Sequence, residues 1–204
     1  TVESCVFFCL LGMIDPNLRY SDGMRDLITL KFAEKSVLNS EPPRPCSSYM
    51  KCCQKVMDIT LMALDAILPG RAIANSGGSG GSIIVAWKGD TRRKHGNQYE
   101  IFGSAYGAGD GVDGASGTTV NLINLYAAPV EIIEAEFPCR IHSFEMGTDS
   151  GGPGEFRGGL SFRRTYELLE PAEIVYRGDR AIEAPQGLRG GKPGGHSRFI
   201  VNPG

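Results

Sequence analysis

At 204 residues, with 41% of them hydrophobic, the chain is long enough to bury a real core as one domain or two small ones. Its 21 basic and 23 acidic side chains leave a net charge of −2, so no field is available to attract nucleic acid or an anionic membrane surface. Both classes of partner are excluded on that ground.

Residues 2–13 place Val6, Leu10 and Met13 at helical spacing and are expected to form the first helix. The apolar stretch is shorter than the ~20 residues a bilayer requires, and Asp15-Pro16 ends it. It has neither a basic leader nor a small-residue cleavage site, which argues against a signal peptide. Thr1 stands where an initiating Met is expected. Truncation or processing is the reading, and an N-terminal threonine nucleophile the chemical alternative.

Residues 26–33 alternate through Leu27, Thr29 and Lys31 and are expected to be a strand. Residues 49–68 carry the strongest helix pattern: Cys53, Val56, Met57, Thr60, Leu61, Leu64, Ile67 and Leu68 recur at steps of three and four, and Pro69-Gly70 stops the helix. That stripe is read as core.

Beyond Pro69 the texture changes to short β-type runs between glycine clusters. Strands are expected at 82–88 and 98–102, joined by a basic connection at 89–97, and again at 139–146, 160–168, 174–177 and 199–201. A short helix is expected at 129–136 with Pro129 at its first position. The pattern is α+β: a helix-containing N-terminal third, residues 1–70, followed by a β-rich, glycine-loop-rich remainder, residues 71–204.

Cys5, Cys9, Cys46, Cys52, Cys53 and Cys139 are read as reduced core thiols of a cytoplasmic protein. Cys52-Cys53 has no second pair at zinc-ligand spacing. His95, His142 and His196 are far apart and form no i, i+4 pair, so no metal site is expected among these residues.

Chemistry is sought in four glycine-rich runs, at 75–81, 103–117, 149–159 and 186–195. Successive N–H groups in such loops can form anion-binding concavities, although tight connections between strands use the same residues. No run completes a Walker pattern. Asn75, Ser76, Ser79, Glu100 and Asp110 are the candidate substrate-binding residues. Asp149, Arg157, Arg180 and Arg189 are expected to hold the loops, because an arginine that grips a carboxylate would lock such a backbone.

The densest run is Asp149-Ser150-Gly151-Gly152-Pro153-Gly154-Glu155-Phe156-Arg157-Gly158-Gly159, whose two Gly-Gly pairs imply left-handed or tightly packed backbone. Its first five residues resemble the nucleophile segment of chymotrypsin-like proteases, which also needs a histidine base and a buried aspartate. Neither His95 nor His142 stands in the context that base requires.

A second resemblance takes in more of the chain. Asp15-Pro16-Asn17, Ser40-Glu41-Pro42-Pro43, Gln54 in the long helix, Tyr99-Glu100, the Asp149 run, Gly178-Asp179-Arg180 and Pro185-Gln186-Gly187-Leu188-Arg189-Gly190-Gly191 stand in the order seen in the hydantoinase B/5-oxoprolinase family. The resemblance implies the C-terminal part of a B-type subunit. Such subunits work with an A-type ATPase that carries ATP and Mg, and here with the remainder of the B-type subunit, on a small-molecule substrate. A divalent metal, by the same resemblance, belongs to the missing N-terminal part and none to this segment.

The departures from the family pattern matter as well. Tyr49-Met50-Lys51-Cys52-Cys53-Gln54 keeps only the glutamine of a more polar run, and Asn75-Ser76-Gly77-Gly78-Ser79-Gly80-Gly81 replaces amides with glycine. Besides a cyclic-amide hydrolase, a subunit of a ketone carboxylase and a non-catalytic scaffold therefore stay open.

Overall fold

The computed structural model describes residues 2–87 and 96–203. His95 and most of the basic connection expected at 89–97 lie outside the described residues, as does Thr1.

Helix α1 (Val2–Ile14) packs against helix α2 (Tyr49–Asp65) through Cys5, Cys9, Cys53 and Met57, with Val56, Leu61 and Leu64 around them. Arg71 donates from Nη1 to the carbonyl oxygens of Met13 (2.8 Å) and Ile14 (2.7 Å), satisfying the open end of α1. α2 stops at Asp65, three residues before the expected end, and a tightened last turn with Ile67 N–H on Leu64 O (2.9 Å) leads into Gly70 at φ +83°.

The strand expected at 26–33 is absent. Its first two residues close a 3₁₀ turn, Asp22–Leu27, and the rest runs with no ladder partner among the described residues. Alternation describes an extended chain, but only a neighbouring edge makes it a strand, and Leu27 is left facing solvent.

The β-rich part is built on an antiparallel sheet of order β2-β1-β7, with β1 (Ser82–Trp87) between β2 (Asn97–Ile101) and β7 (Ala172–Arg177). Ile84 lies opposite Tyr99 on one side and Val175 on the other. A short ladder joins β3 (Ser104–Ala105) to β4 (Ser116–Thr118), and a longer antiparallel ribbon joins β5 (Cys139–Met146) to β6 (Phe162–Leu168).

Alternate residues of β1 point inward. Ile83, Val85 and Trp87 form the second core with Cys139 of β5 and with Ile133 of helix α3 (Val130–Glu136), and Tyr166, Leu168 and Ile174 pack around it. Trp87 stacks on Phe137 at 5.5 Å. Pro129 sits one position earlier than expected, as the N-cap of α3.

Residues 199–201 are likewise not a strand; Phe199 stacks flat on Tyr176 at 4.7 Å, so aromatic contact replaces ladder bonds in holding the tail. All six cysteines are free. Cys5, Cys9, Cys53 and Cys139 are buried as expected, whereas Cys46 is exposed in the loop before α2 and is not a core thiol. Burial pushes the Cys9 thiol up to about 11, so it stays protonated and inert at neutral pH.

Candidate functional site

The four glycine runs, separated by tens of residues in the chain, close into one ring of main-chain contacts. Gly77 N–H donates to Ala105 O (2.9 Å) and Ala74 N–H to Ala108 O (2.8 Å), joining the first run to the second. Gly114 N–H on Arg157 O (2.8 Å) and Gly159 N–H on Tyr106 O (3.0 Å) join the second to the third. Lys192 N–H on Pro153 O and Gly195 N–H on Ser150 O, both 2.9 Å, join the third to the fourth. Asn75 N–H on Gln186 O (3.0 Å) closes the circuit.

Backbone can approach backbone this closely only where side chains are absent. A Cβ on Gly151 would overlap the carbonyl oxygen of Gly158. The left-handed position of the run is taken by Asp149 instead, at φ +53°. Within the 149–159 run, then, glycine serves close approach more than unusual φ.

The ring borders a cavity of about 1250 Å³ that also reaches β6, β7 and the C-terminal tail. Asn75 and Asp110 line it, as do Asp149, Arg180 and Arg189. Asp110 pairs with Arg189 at 3.8 Å. Ser76, Ser79 and Glu100 lie behind the wall, each tied into a polar network.

Ser76 gives its N–H (3.1 Å) and its Oγ–H (3.2 Å) to the carboxylate of Asp58 on α2, which also accepts from Arg180 Nη2. Burial raises the Asp58 carboxyl above the usual range despite these donors. Ser79 gives its N–H and Oγ–H, both at 3.2 Å, to Asp179 Oδ2 and accepts from Lys51 Nζ at 2.7 Å. Lys55 pairs with the same Asp179 at 3.4 Å. Burial pushes Asp179 up, but Lys55, the Ser79 N–H and Lys51 outweigh it and hold the carboxyl below its ordinary value. Burial lowers both lysines.

Glu100 on β2 holds Arg164 and accepts from the Tyr166 hydroxyl. Burial, and then Glu100, raise that phenol well above its ordinary value. Phe144 covers one face of the Arg164 guanidinium, with its ring centroid 3.9 Å away.

The loop-holding residues divide. Arg180 grips Asp58, and Arg189 reaches Asp65 at 3.5 Å. Arg157 holds its loop through the main chain: its N–H donates to Asp113 Oδ1 (2.7 Å) and its carbonyl accepts from Gly114, while its side chain is exposed with no ion pair among the described residues. Asp149 is exposed at the cavity rim.

Ser150 donates to Gly147 O (2.7 Å) and accepts from Ser161 N–H (2.9 Å), so its hydroxyl staples a turn and has no hydrogen bond to a histidine among the described residues. His142 Nε2 lies 2.9 Å from Glu167 on the exposed ribbon. Among the described residues no three His, Cys, Asp or Glu side chains gather as a metal site, and no helix is long and apolar enough to cross a membrane.

Sequence reasoning missed Lys51, Lys55, Asp58 and Asp65. They follow one another at steps of four, three and seven along α2, which makes one helical stripe opposite the apolar one. That spacing was readable, but a solvated polar face would show the same spacing.

The profile of the hydantoinase B/oxoprolinase family matches residues 1–204. The chain belongs to this family. An uncharacterized protein of Methanocaldococcus jannaschii, MJ0963, is 32% identical over 195 residues, covering 95% of this chain and 34% of that protein. Caprolactamase subunit beta of Pseudomonas jessenii is 29% identical over 168 residues, or 76% of this chain and 28% of the subunit. A nucleotide-free structure of acetone carboxylase, a protein of ATP-dependent acetone carboxylation, superposes with a TM-score of 0.76 at 17% identity, covering 95% of this chain and 27% of that one, a likeness of fold alone. This hydantoinase B-type chain thus spans about a third of the length of these two relatives.

Proposed function

We propose that the chain is the part of a B-type subunit that encloses the substrate of an ATP-dependent cyclic-amide hydrolase. The observation that carries this reading is the closed ring of glycine loops around a cavity of about 1250 Å³, in a chain matched along its whole length by the family. The sequence likeness to a caprolactamase subunit favours the amide branch over the carboxylase branch, for which the likeness is one of fold.

In this reading, as the family likeness implies, ATP and Mg belong to an A-type ATPase partner and any divalent metal to the remainder of the B-type subunit. This chain would exclude bulk water and present fixed main-chain dipoles to an oxyanion that develops when an activated amide carbonyl is attacked. Asn75 and Asp110 would touch the substrate, while Ser76, Ser79 and Glu100 would fix the wall behind them.

The test is reassembly. The chain, the remainder of its B-type subunit and an A-type ATPase are copurified, and ATP hydrolysis is followed with and without cyclic amides. Stimulation by an amide supports the hydrolase. A stable complex that no amide stimulates replaces it with a scaffold, and turnover that depends on bicarbonate and a ketone replaces it with a carboxylase.

A further inference from the structure

The N-terminal third carries apolar surface that the rest of the chain leaves open. Helix α1 has one charged side chain, Glu3, and one other polar one, Ser4; every later position to Ile14 is apolar or glycine. A helix apolar all round belongs in an interior. α2 covers one side of α1 at Cys5 and Cys9, but Ser4, Phe8 and Gly12, at steps of four, form an exposed stripe along it, with Phe8 56% exposed.

The connection to α2 is open in the same way. Residues 15–48 hold one 3₁₀ turn and no other helix or strand, and none of them is buried. The segment first doubles back on α1: Tyr20 sets its ring edge-on to Phe7 at 5.6 Å, and Arg25 Nε donates to Glu3 Oε1 at 2.8 Å, which lays its first half alongside the helix. Leu18 is exposed there, and Leu27 and Val37 are 82% and 79% exposed. So long a connection without a core of its own is uncommon in a compact domain, because no burial offsets the entropy of ordering it. Apolar surface gathered in this way marks a contact with other protein.

The size of the relatives indicates what covers it. The chain spans 34% of MJ0963 and 28% of caprolactamase subunit beta, so about two thirds of each lies outside the matched part. Polypeptide of the same subunit reaches this surface without the translational cost that a separate molecule meets. The α1 stripe is uncharged, and the segment mixes Lys31, Lys35 and Arg44 with Glu34 and Glu41, so the face offers apolar area rather than a field of one sign.

We propose that the exposed stripe of α1 and residues 15–48 form the seat of the remainder of the B-type subunit, which lays an apolar surface over Phe8, Leu18, Leu27 and Val37. The inference rests on reading the chain as part of such a subunit and is independent of what the cavity holds.

The chain is coexpressed with the remainder of the subunit, and hydroxyl-radical footprinting, which reads side-chain exposure, compares the complex with the chain alone. Phe8, Leu27 and Val37 are expected to lose most of their labelling in the complex, while Ile182, 87% exposed after the Arg180 turn, keeps its own. Phe8→Glu combined with Leu27→Glu is expected to weaken the complex at least about tenfold, because each carboxylate would be buried against apolar surface without a partner. Both positions are exposed in the chain alone, so its melting temperature should not change.

No complex, unchanged labelling at these residues, equal loss at Ile182, or a double variant that binds as tightly as the unmodified chain would each overturn the proposal. Loss of labelling in the chain alone at raised concentration would do so as well, by giving the surface to a second copy. The footprint needs no variant, so a folding defect in the double variant does not rescue the idea. A complex that hydrolyses ATP but leaves these residues labelled would sink this inference and keep the subunit assignment.

Discussion

On one side of α2, Cys53 and Met57 meet the cysteines of α1; on the other, Lys51, Lys55, Asp58 and Asp65 meet the glycine loops and the arginines that follow them. Both faces pack against protein, yet one is held by removal of apolar surface from water and the other by paired charges. Apolar packing tolerates small slips of register, because its attraction is non-directional. A carboxylate shared by Arg180 and two donors of Ser76 does not. The difference suggests that the helix pair is attached to the β-rich part for position as much as for stability, since the loops so anchored form the cavity wall.

The comparison breaks most sharply at Asp58. Asp58→Ala leaves Arg180 buried without its carboxylate and strips Ser76 of its acceptor, and a loss of about 3–5 kcal/mol is expected. Urea unfolding measures it. A loss below about 1 kcal/mol would mean that water rescues Arg180, and the polar face would then be an ordinary wet surface.

Met57→Ala probes the opposite face. Met57 is fully buried (0% exposed), and truncation is expected to cost about 2–5 kcal/mol through lost transfer energy and the cavity left behind. The two faces separate on solution conditions: raised salt should leave the Met57→Ala deficit unchanged in denaturation curves. A deficit that tracks ionic strength would mean the faces are not independent.

pH sharpens the contrast further, because neighbouring acids on the polar face act with opposite sign. Asp179 is held below its ordinary value, so its stabilising contribution is present above the unfolded carboxylate range and disappears as the pH falls through its folded value. Asp58 is raised, so its contribution is fullest below the unfolded value and is lost as the pH climbs through the folded one. Between about pH 5 and pH 2 the stability gap between the unmodified chain and Asp179→Asn should therefore narrow. A gap that widens on acidification would show that burial, not Lys55 and Lys51, controls Asp179.

Much of this was legible from residue patterns. The apolar stripe of α2 and the strand Cys139–Met146 follow directly from three- and four-step spacing and from β-type residues between turn signals. The glycine runs were visible as loops, and tight packing was one of two physical reasons open for them. What stayed hidden was pairing between distant segments. Nothing in residues 26–33 says that no edge awaits them, and nothing in Asp58 says that Arg180 lies against it, 122 residues away in the chain. The ring of glycine loops is also a long-range fact, built from main-chain bonds that no side-chain pattern encodes.

The smallest expected effect concerns the residue that the loop chemistry made most conspicuous. Arg157 lies in the densest glycine run, where a side-chain lock onto a carboxylate was expected, but the bonds that fix it run from its own N–H to Asp113 and from Gly114 N–H to its carbonyl. Both survive truncation of the side chain, which faces solvent. Arg157→Ala should accordingly change stability by no more than about 0.5 kcal/mol in thermal or chemical unfolding, whereas Asp113→Ala, which removes the acceptor for Arg157 N–H, should cost about 1 kcal/mol. A larger loss from Arg157→Ala than from Asp113→Ala would return the lock to the guanidinium. The glycine ring would then depend on a side-chain clamp in the same way that the polar face of α2 does.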